Sequence, residues 1–282
     1  MSHPHSMSNE ATVTPSTEHQ VNGLQVYEHP CTAPWVQKPE TVIFHHGLGA
    51  RAECWHGWFA ALNHRFRIVT FDMRGHGASP VGENHTWSVN GMVDDLAAVA
   101  NATVPANERF HLVGESIGGT NVLAYATQHP QRLTSLTVSN GAHQGGSLGN
   151  LSNWKEIMDA GGMKAWSAHM MTMRFRDGAI PEPMWQWYEN QQAQCDQQAV
   201  LAMVELLIGA DLSDQLSNIT VPTLLLHPDS SPFIPVSVME ELKNQLPDAR
   251  LTVFANSQHG LPFSHAGECA AAMAEFIGGL TS

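Results

Sequence analysis

Short apolar runs recur along the chain, at Thr41–Phe44, Arg67–Phe71, Phe110–Val113, Leu133–Val138, Thr223–Leu226 and Arg250–Phe254. Most are nearly continuous in apolar character and do not alternate strictly. That pattern predicts strands covered on both faces, as in a parallel sheet. Helical spacing fills the gaps between them. A helix is expected from Trp87 to about Val99, opening after Thr86 and carrying Val89, Met92, Leu96 and Val99 on one face. Others are expected at Ile117–Gln128, which stops at His129-Pro130, at Val236–Gln245 between Pro235 and Pro247, and at Ala266–Ile277, which ends at Gly278-Gly279. Gln20–Glu28 reads as a leading hairpin around Asn22-Gly23, a turn dipeptide. Alternating strands and helices predict an α/β fold with a mostly parallel central sheet and helices on both faces.

One stretch breaks the rhythm. From about Gly141 to Asn218 no strand is convincing, and the segment is rich in Trp and Met, among them Trp154, Trp166, Trp185, Trp187, Met170 and Met171. It is expected to be a helical insertion at 141–218, splitting a core made of 21–140 and 219–282. Met and Trp form an adaptable apolar lining, so the insertion is expected to cap a pocket. An ordinary helical subdomain with a Met-rich core is the competing interpretation. Residues 1–20 are polar, without the apolar core of a signal peptide, and are expected to be a disordered leader.

Composition narrows the function. Of 282 residues, 43% are hydrophobic and only 14% charged, which excludes a disordered chain. Thirteen Lys and Arg face 26 Asp and Glu, for a net charge of −13 with His neutral. Such a chain repels phosphates, so neither nucleic acid nor an anionic membrane surface is an expected partner. Cys31, Cys54, Cys195 and Cys269 are scattered and form no CxxC pair, which argues against a zinc framework or a disulfide scaffold and fits buried thiols in the cytoplasm. No apolar run approaches the ~20 residues of a membrane span. Neither a metal nor an organic cofactor is expected, and nothing indicates an oligomeric state.

The strongest chemical signal is Gly114-Glu115-Ser116-Ile117-Gly118. It follows a predicted strand and opens a predicted helix, the strand–turn–helix context of a G-x-S-x-G nucleophile elbow. A turn that tight has no room for side chains at the glycines. It lifts the Ser116 hydroxyl clear of the sheet and sets it at a helix N-terminus, where developing negative charge is stabilised. A second glycine-rich segment, His45-His46-Gly47-Leu48-Gly49, ends the strand at Thr41–Phe44.

With these two motifs the chain resembles the α/β-hydrolase superfamily, from about Val21 to its end. The resemblance implies an oxyanion hole built from the backbone N–H groups of Leu48 and Ile117. It implies a catalytic base late in the chain, at His259 in Gln258-His259-Gly260, with His265 the nearest competitor. Asp72-Met73-Arg74-Gly75-His76-Gly77 resembles a structural turn of the family. The family pattern for the acid falls on Pro228 to Pro235, where its usual Asp position is Ser231. Asp229, two residues earlier, is the expected triad acid. Asn140 or Ser231 orienting the imidazole as a neutral partner, or a carboxylate from the insertion, remain the alternatives.

Within the superfamily the chain is most similar to 3-oxoadipate enol-lactonase-like and carboxylesterase-like members, and Asn140 to about Asp211 resembles 3-oxoadipate enol-lactonases and related ring-cleavage hydrolases. The resemblance rests on Trp154, Gly161-Gly162-Met163, Arg174-Phe175-Arg176 and Ala210-Asp211-Leu212. His46, Arg51, Trp154, Arg174 and Arg176 are candidate substrate contacts, the arginines for a substrate carboxylate, although charges on an insertion are more often solvated. The expected activity is hydrolysis of an ester or lactone in a small to medium organic molecule. Hydrolysis of a C–C bond in a β-diketone-like substrate, or ligand binding with little turnover, are the alternatives.

Overall fold

The computed structural model describes residues 16–83, 85–149, 151 and 153–280. One eight-stranded sheet organises them, in the order β1-β2-β4-β3-β5-β6-β7-β8. The strands are β1 (Thr17–Val21), β2 (Leu24–His29), β3 (Thr41–His45), β4 (Arg67–Phe71), β5 (Phe110–Glu115), β6 (Leu133–Ser139), β7 (Thr223–Pro228) and β8 (Ala249–Phe254). β2 pairs antiparallel with β1 and β4; the strands from β4 to β8 in the sheet order pair in parallel. The hairpin is longer than expected. Thr17 to Gln20, assigned to the leader, form an edge strand in register with Gln25 to Glu28. The rest of the expected leader, 1–15, lies outside the described residues.

The helices are α1 (His56–Leu62), α2 (Val89–Thr103), α3 (Ile117–Gln128), α4 (Trp154–Arg174), α5 (Glu182–Gln192), α6 (Gln197–Gly209), α7 (Val236–Gln245), the short α8 (Leu261–Ser264) and α9 (Ala266–Leu280). Helix α2 starts after Ser88, whose hydroxyl accepts from the Gly91 N–H at 2.9 Å and so satisfies one of the first-turn amides. α1 was not foreseen.

The middle strands are buried on both faces because successive side chains point opposite ways. On β3, Ile43 enters the core shared with α2, α3 and α7, while Val42 and Phe44 enter the core formed with α1 and α9. A third cluster joins Ala50 and Cys54 to Met171, Phe175, Ile180 and Tyr188, so that α4 and α5 pack onto the loop after β3. The helices α4 to α6 come from the segment between β6 and β7.

Buried histidines tie the loops at the C-terminal ends of the strands. His46 Nε2 accepts from the Met73 N–H at 3.0 Å, and its Nδ1 is 2.8 Å from the Gly47 carbonyl. His76 Nε2 accepts from the Gly49 N–H at 3.0 Å, and its Nδ1 is 3.0 Å from the Arg74 carbonyl. Each ring thus holds a proton on Nδ1 and accepts through the lone pair on Nε2, the neutral tautomer. Asp72 completes the junction, accepting from the Ala52 and Ala78 amides at 2.8 and 2.9 Å.

Burial pushes His45, His76 and His227 down to about 4, and His46 well below its ordinary value. A histidine with a depressed folded pKa stabilises the fold fully above its unfolded value near 6.5, and that contribution is lost as pH falls toward the folded value. Urea unfolding at pH 8, 6.5 and 5 is therefore expected to show a plateau and then a fall, about 2 kcal/mol per such histidine by pH 5. Stability unchanged or rising at pH 5 would contradict neutral burial.

Candidate active site

The elbow is formed by crowding. Ser116 adopts φ 55° and ψ −121°, an unfavourable backbone for a residue with a side chain. Its amide donates to Ser139 O at 2.9 Å, and its carbonyl accepts from Thr120 N at 3.0 Å. A Cβ on Gly114 would lie 2.4 Å from Gly118 O, and one on Gly118 would lie 2.5 Å from His46 O. Substitution at either position would push the strand, helix α3 and the loop after β3 apart.

The turn delivers Ser116 to an imidazole. His259, in the loop between β8 and α8, is 3% exposed and places Nε2 3.1 Å from Ser116 Oγ. The loop is held from three sides. Asn140 Nδ2 donates to His259 O at 2.6 Å, Gly260 N donates to Arg174 O at 2.9 Å, and Phe233 packs edge-on against the imidazole at 4.7 Å. Asn140 thus secures the backbone of His259, while Ser116 and Ser231 face its ring nitrogens. Burial, with Arg174 and His227 nearby, holds the His259 pKa well below its ordinary value.

The expected acid is elsewhere. Asp229 accepts from the Asn256 and Ser257 amides at 2.8 and 3.2 Å and from Ser230 Oγ at 2.9 Å. It braces the turn after β8 from an exposed position, and these bonds together with Arg176 hold its pKa below the usual range against a burial effect that would raise it. Opposite His259 Nδ1, at 3.1 Å, is Ser231 Oγ. The expectation for Asp229 is corrected on this point: a turn of two residues separates it from the position that meets the ring.

Three amides of the loop after β3 behave differently. Gly47 N donates to Glu115 Oε2 at 3.2 Å and Gly49 N to His76 Nε2 at 3.0 Å. Leu48 N, between them, has no acceptor among the described residues. Ile117, as the first residue of α3, has no intrahelical acceptor either. Leu48, Ser116 and His259 line one cavity, and Ile117 follows Ser116 directly in the chain.

Apolar side chains complete that cavity: Leu148, Leu151, Trp154, Met170, Val204 and Leu207 from the segment between β6 and β7, and Phe233 and Ile234 from the loop before α7. About 20 Å³ is open to the centre of a water-sized sphere, room for on the order of one water.

Of the candidate substrate contacts, Trp154 and Arg174 reach this cavity. His46 does not: both ring nitrogens are engaged by backbone. Arg51 is paired with Glu53, and Arg176 is exposed, donating to Ser230 Oγ at 2.8 Å. His265 Nδ1 lies 2.9 Å from Ser264 Oγ, and the residue is not part of the cavity lining.

Arg174 is more enclosed than a solvated charge, at 1% exposure. Its Nε donates to Gln192 Oε1 at 2.9 Å, its Nη2 donates to Leu48 O, and its Nη1 lies 3.8 Å from Glu115 Oε1. Gln191 Nε2 adds a bond to Gly49 O at 2.9 Å. Helices α4 and α5 therefore hold the carbonyls of the loop whose Gly47 and Gly49 amides are bonded to Glu115 and His76. Glu115, next to Ser116, was not singled out from sequence. Burial raises its pKa, and Arg174 opposes the rise. Among the described residues, no group of three or more His, Cys, Asp or Glu is placed to hold a metal ion, and no helix is long and apolar enough to cross a membrane.

A family model described as the alpha/beta hydrolase fold matches residues 40–266. The chain belongs to the α/β-hydrolase fold family. Relatives include a protein named as a carbamate hydrolase, RutD, of Caulobacter sp. (strain K31), 26% identical over 85% of this chain and 91% of its own. Another is 3-oxoadipate enol-lactonase 1 of Acinetobacter baylyi (strain ATCC 33305 / BD413 / ADP1), 27% identical over 73% of this chain and 76% of its own. In structure the chain is similar to the enol-lactonase from Burkholderia xenovorans LB400, with a TM-score of 0.80 at 21% identity, covering 93% of this chain and 99% of that one. Together the family and these relatives support hydrolase activity.

Removing one partner of the Glu115–Arg174 pair strands a buried charge, a loss of about 3–5 kcal/mol. Arg174→Met is expected to lower unfolding free energy in urea by that amount, and Glu115→Gln in the same background to recover part of it. An Arg174→Met protein within about 1 kcal/mol of wild type would show that the pair carries no buried charge.

Proposed function

We propose that the protein is a serine hydrolase that cleaves an ester or lactone bond of a small to medium organic substrate through an acyl-enzyme. The observation that carries this is the 3.1 Å approach of His259 Nε2 to Ser116 Oγ on the wall of an apolar cavity. His259 takes the Ser116 proton as Ser116 Oγ bonds to the carbonyl carbon. The Leu48 and Ile117 amides receive the oxyanion. The C–O bond to the leaving group breaks, and the proton passes from His259 to the departing oxygen. A water then repeats the sequence on the acyl-enzyme, and Ser116 recovers its proton. No step calls on a metal or organic cofactor.

In this account α4 to α6 act as a cap. They supply the apolar wall, and they must shift to admit an acyl group larger than a water or two. The relative named as a carbamate hydrolase makes carbamates the second class to test, since the same attack on a carbonyl carbon cleaves them.

A panel of p-nitrophenyl esters of rising acyl length, lactones and carbamates tests the proposal. Short acyl chains are expected to react fastest, and Ser116→Ala and His259→Ala to lower kcat/KM by at least about 10³-fold. Variants as active as wild type would remove these residues from the chemistry.

A further inference from the structure

Position 231 is built to receive donors. Besides His259 Nδ1 at 3.1 Å, Ser231 Oγ accepts from the amides of Phe233 at 3.3 Å and Ile234 at 3.2 Å. A carboxylate there would offer acceptor sites alone and a negative charge. The hydroxyl offers two lone pairs, both already approached by amides, and one proton.

Two arrangements follow. In one, His259 Nδ1–H donates to Ser231 Oγ in competition with the two amides, and Nε2 is free to take the Ser116 proton. In the other, Ser231 O–H donates to Nδ1, the ring proton sits on Nε2 facing Ser116, and the imidazole cannot act as a base. A carboxylate admits only the first arrangement and also stabilises the imidazolium. The charges around the ring do not compensate. Arg174 from α4 disfavours a second positive charge, the buried His227 at the end of β7 brings no negative one, Glu115 is engaged by Arg174 and Gly47 N, and Asp229 is turned to the Asn256 and Ser257 amides.

We infer that Ser231 is a positioning residue that leaves His259 a weak proton carrier, and that this restricts the enzyme to acyl compounds with acidic leaving groups, such as enol and aryl esters. The inference rests on the serine-hydrolase proposal. A leaving oxygen of low pKa departs with little help, so transfer of the proton back from His259 contributes little to breaking its C–O bond. An alkoxide of high pKa needs that transfer in the transition state. The atoms and protons balance as in the scheme above; only the demand placed on His259 changes.

The test is kcat/KM for a series of substituted phenyl acetates, from p-nitrophenyl acetate to phenyl acetate, with ethyl acetate beyond it, in wild type and Ser231→Asp. Wild type is expected to slow steeply as leaving-group pKa rises. Ser231→Asp is expected to gain at least about tenfold on phenyl acetate but less than about threefold on p-nitrophenyl acetate, and its acid limb is expected to move to higher pH as the carboxylate supports the imidazolium. Equal factors across the series, or an unmoved acid limb in a folded variant, would overturn the inference.

Imidazole ¹⁵N shifts of wild-type His259 at pH 8 test it without a variant. A mixture of both neutral tautomers supports the inference, and Nδ1–H alone overturns it. Wild type that neither hydrolyses p-nitrophenyl acetate nor becomes acylated at Ser116 would instead remove the hydrolase proposal itself.

Discussion

The site depends on a backbone constraint at one residue. Ser116 sits at φ 55° because strand β5 must turn into α3 with no intervening loop. The glycine positions allow that turn, and Ser116 N on Ser139 O locks it to β6. Strain of this kind is on the order of 1–3 kcal/mol. The packing of two large cores on either face of the sheet offsets it. Relaxing the turn would lower the hydroxyl toward the sheet and take the Ile117 amide out of line with it. The position of Ser116 is therefore a property of the whole central sheet.

A second constraint is placed on the loop after β3. Its amides are sorted: Gly47 donates to Glu115, Gly49 to His76, and Leu48 to no acceptor among the described residues. Its carbonyls are held from the other side by Arg174 and Gln191, on helices that also wall the cavity. Core and insertion thus grip the same short loop. A shift of α4 that opened the cavity would also release the Leu48 carbonyl from Arg174.

The parallel strands were legible because they are buried on both faces and read as unbroken apolar runs. The elbow was legible because its glycines leave few other turns. The edge strand from Thr17 was not: it is polar, half exposed, and pairs on one side with β2. Helix α1 was hidden by its brevity and by Gly57 next to Trp58. The partner of His259 depended on a loop path that spacing does not encode. Asp229 carries the right chemistry but faces the amides of 256 and 257, while the family's usual acid position, Ser231, meets the ring. Arg174 carried a readable signal. Trp166, Met170 and Arg174 recur every fourth residue, which places the arginine on the buried stripe of α4.

Whether the strained serine is a nucleophile activated by the late histidine is decided most directly by intact-protein and peptide mass spectrometry after brief exposure to a fluorophosphonate. One phosphonyl adduct on the peptide containing Ser116, absent from folded His259→Ala protein over the same interval, is the expected result. An unmodified Ser116 in folded wild type, or labelling at the same rate without His259, would contradict the account.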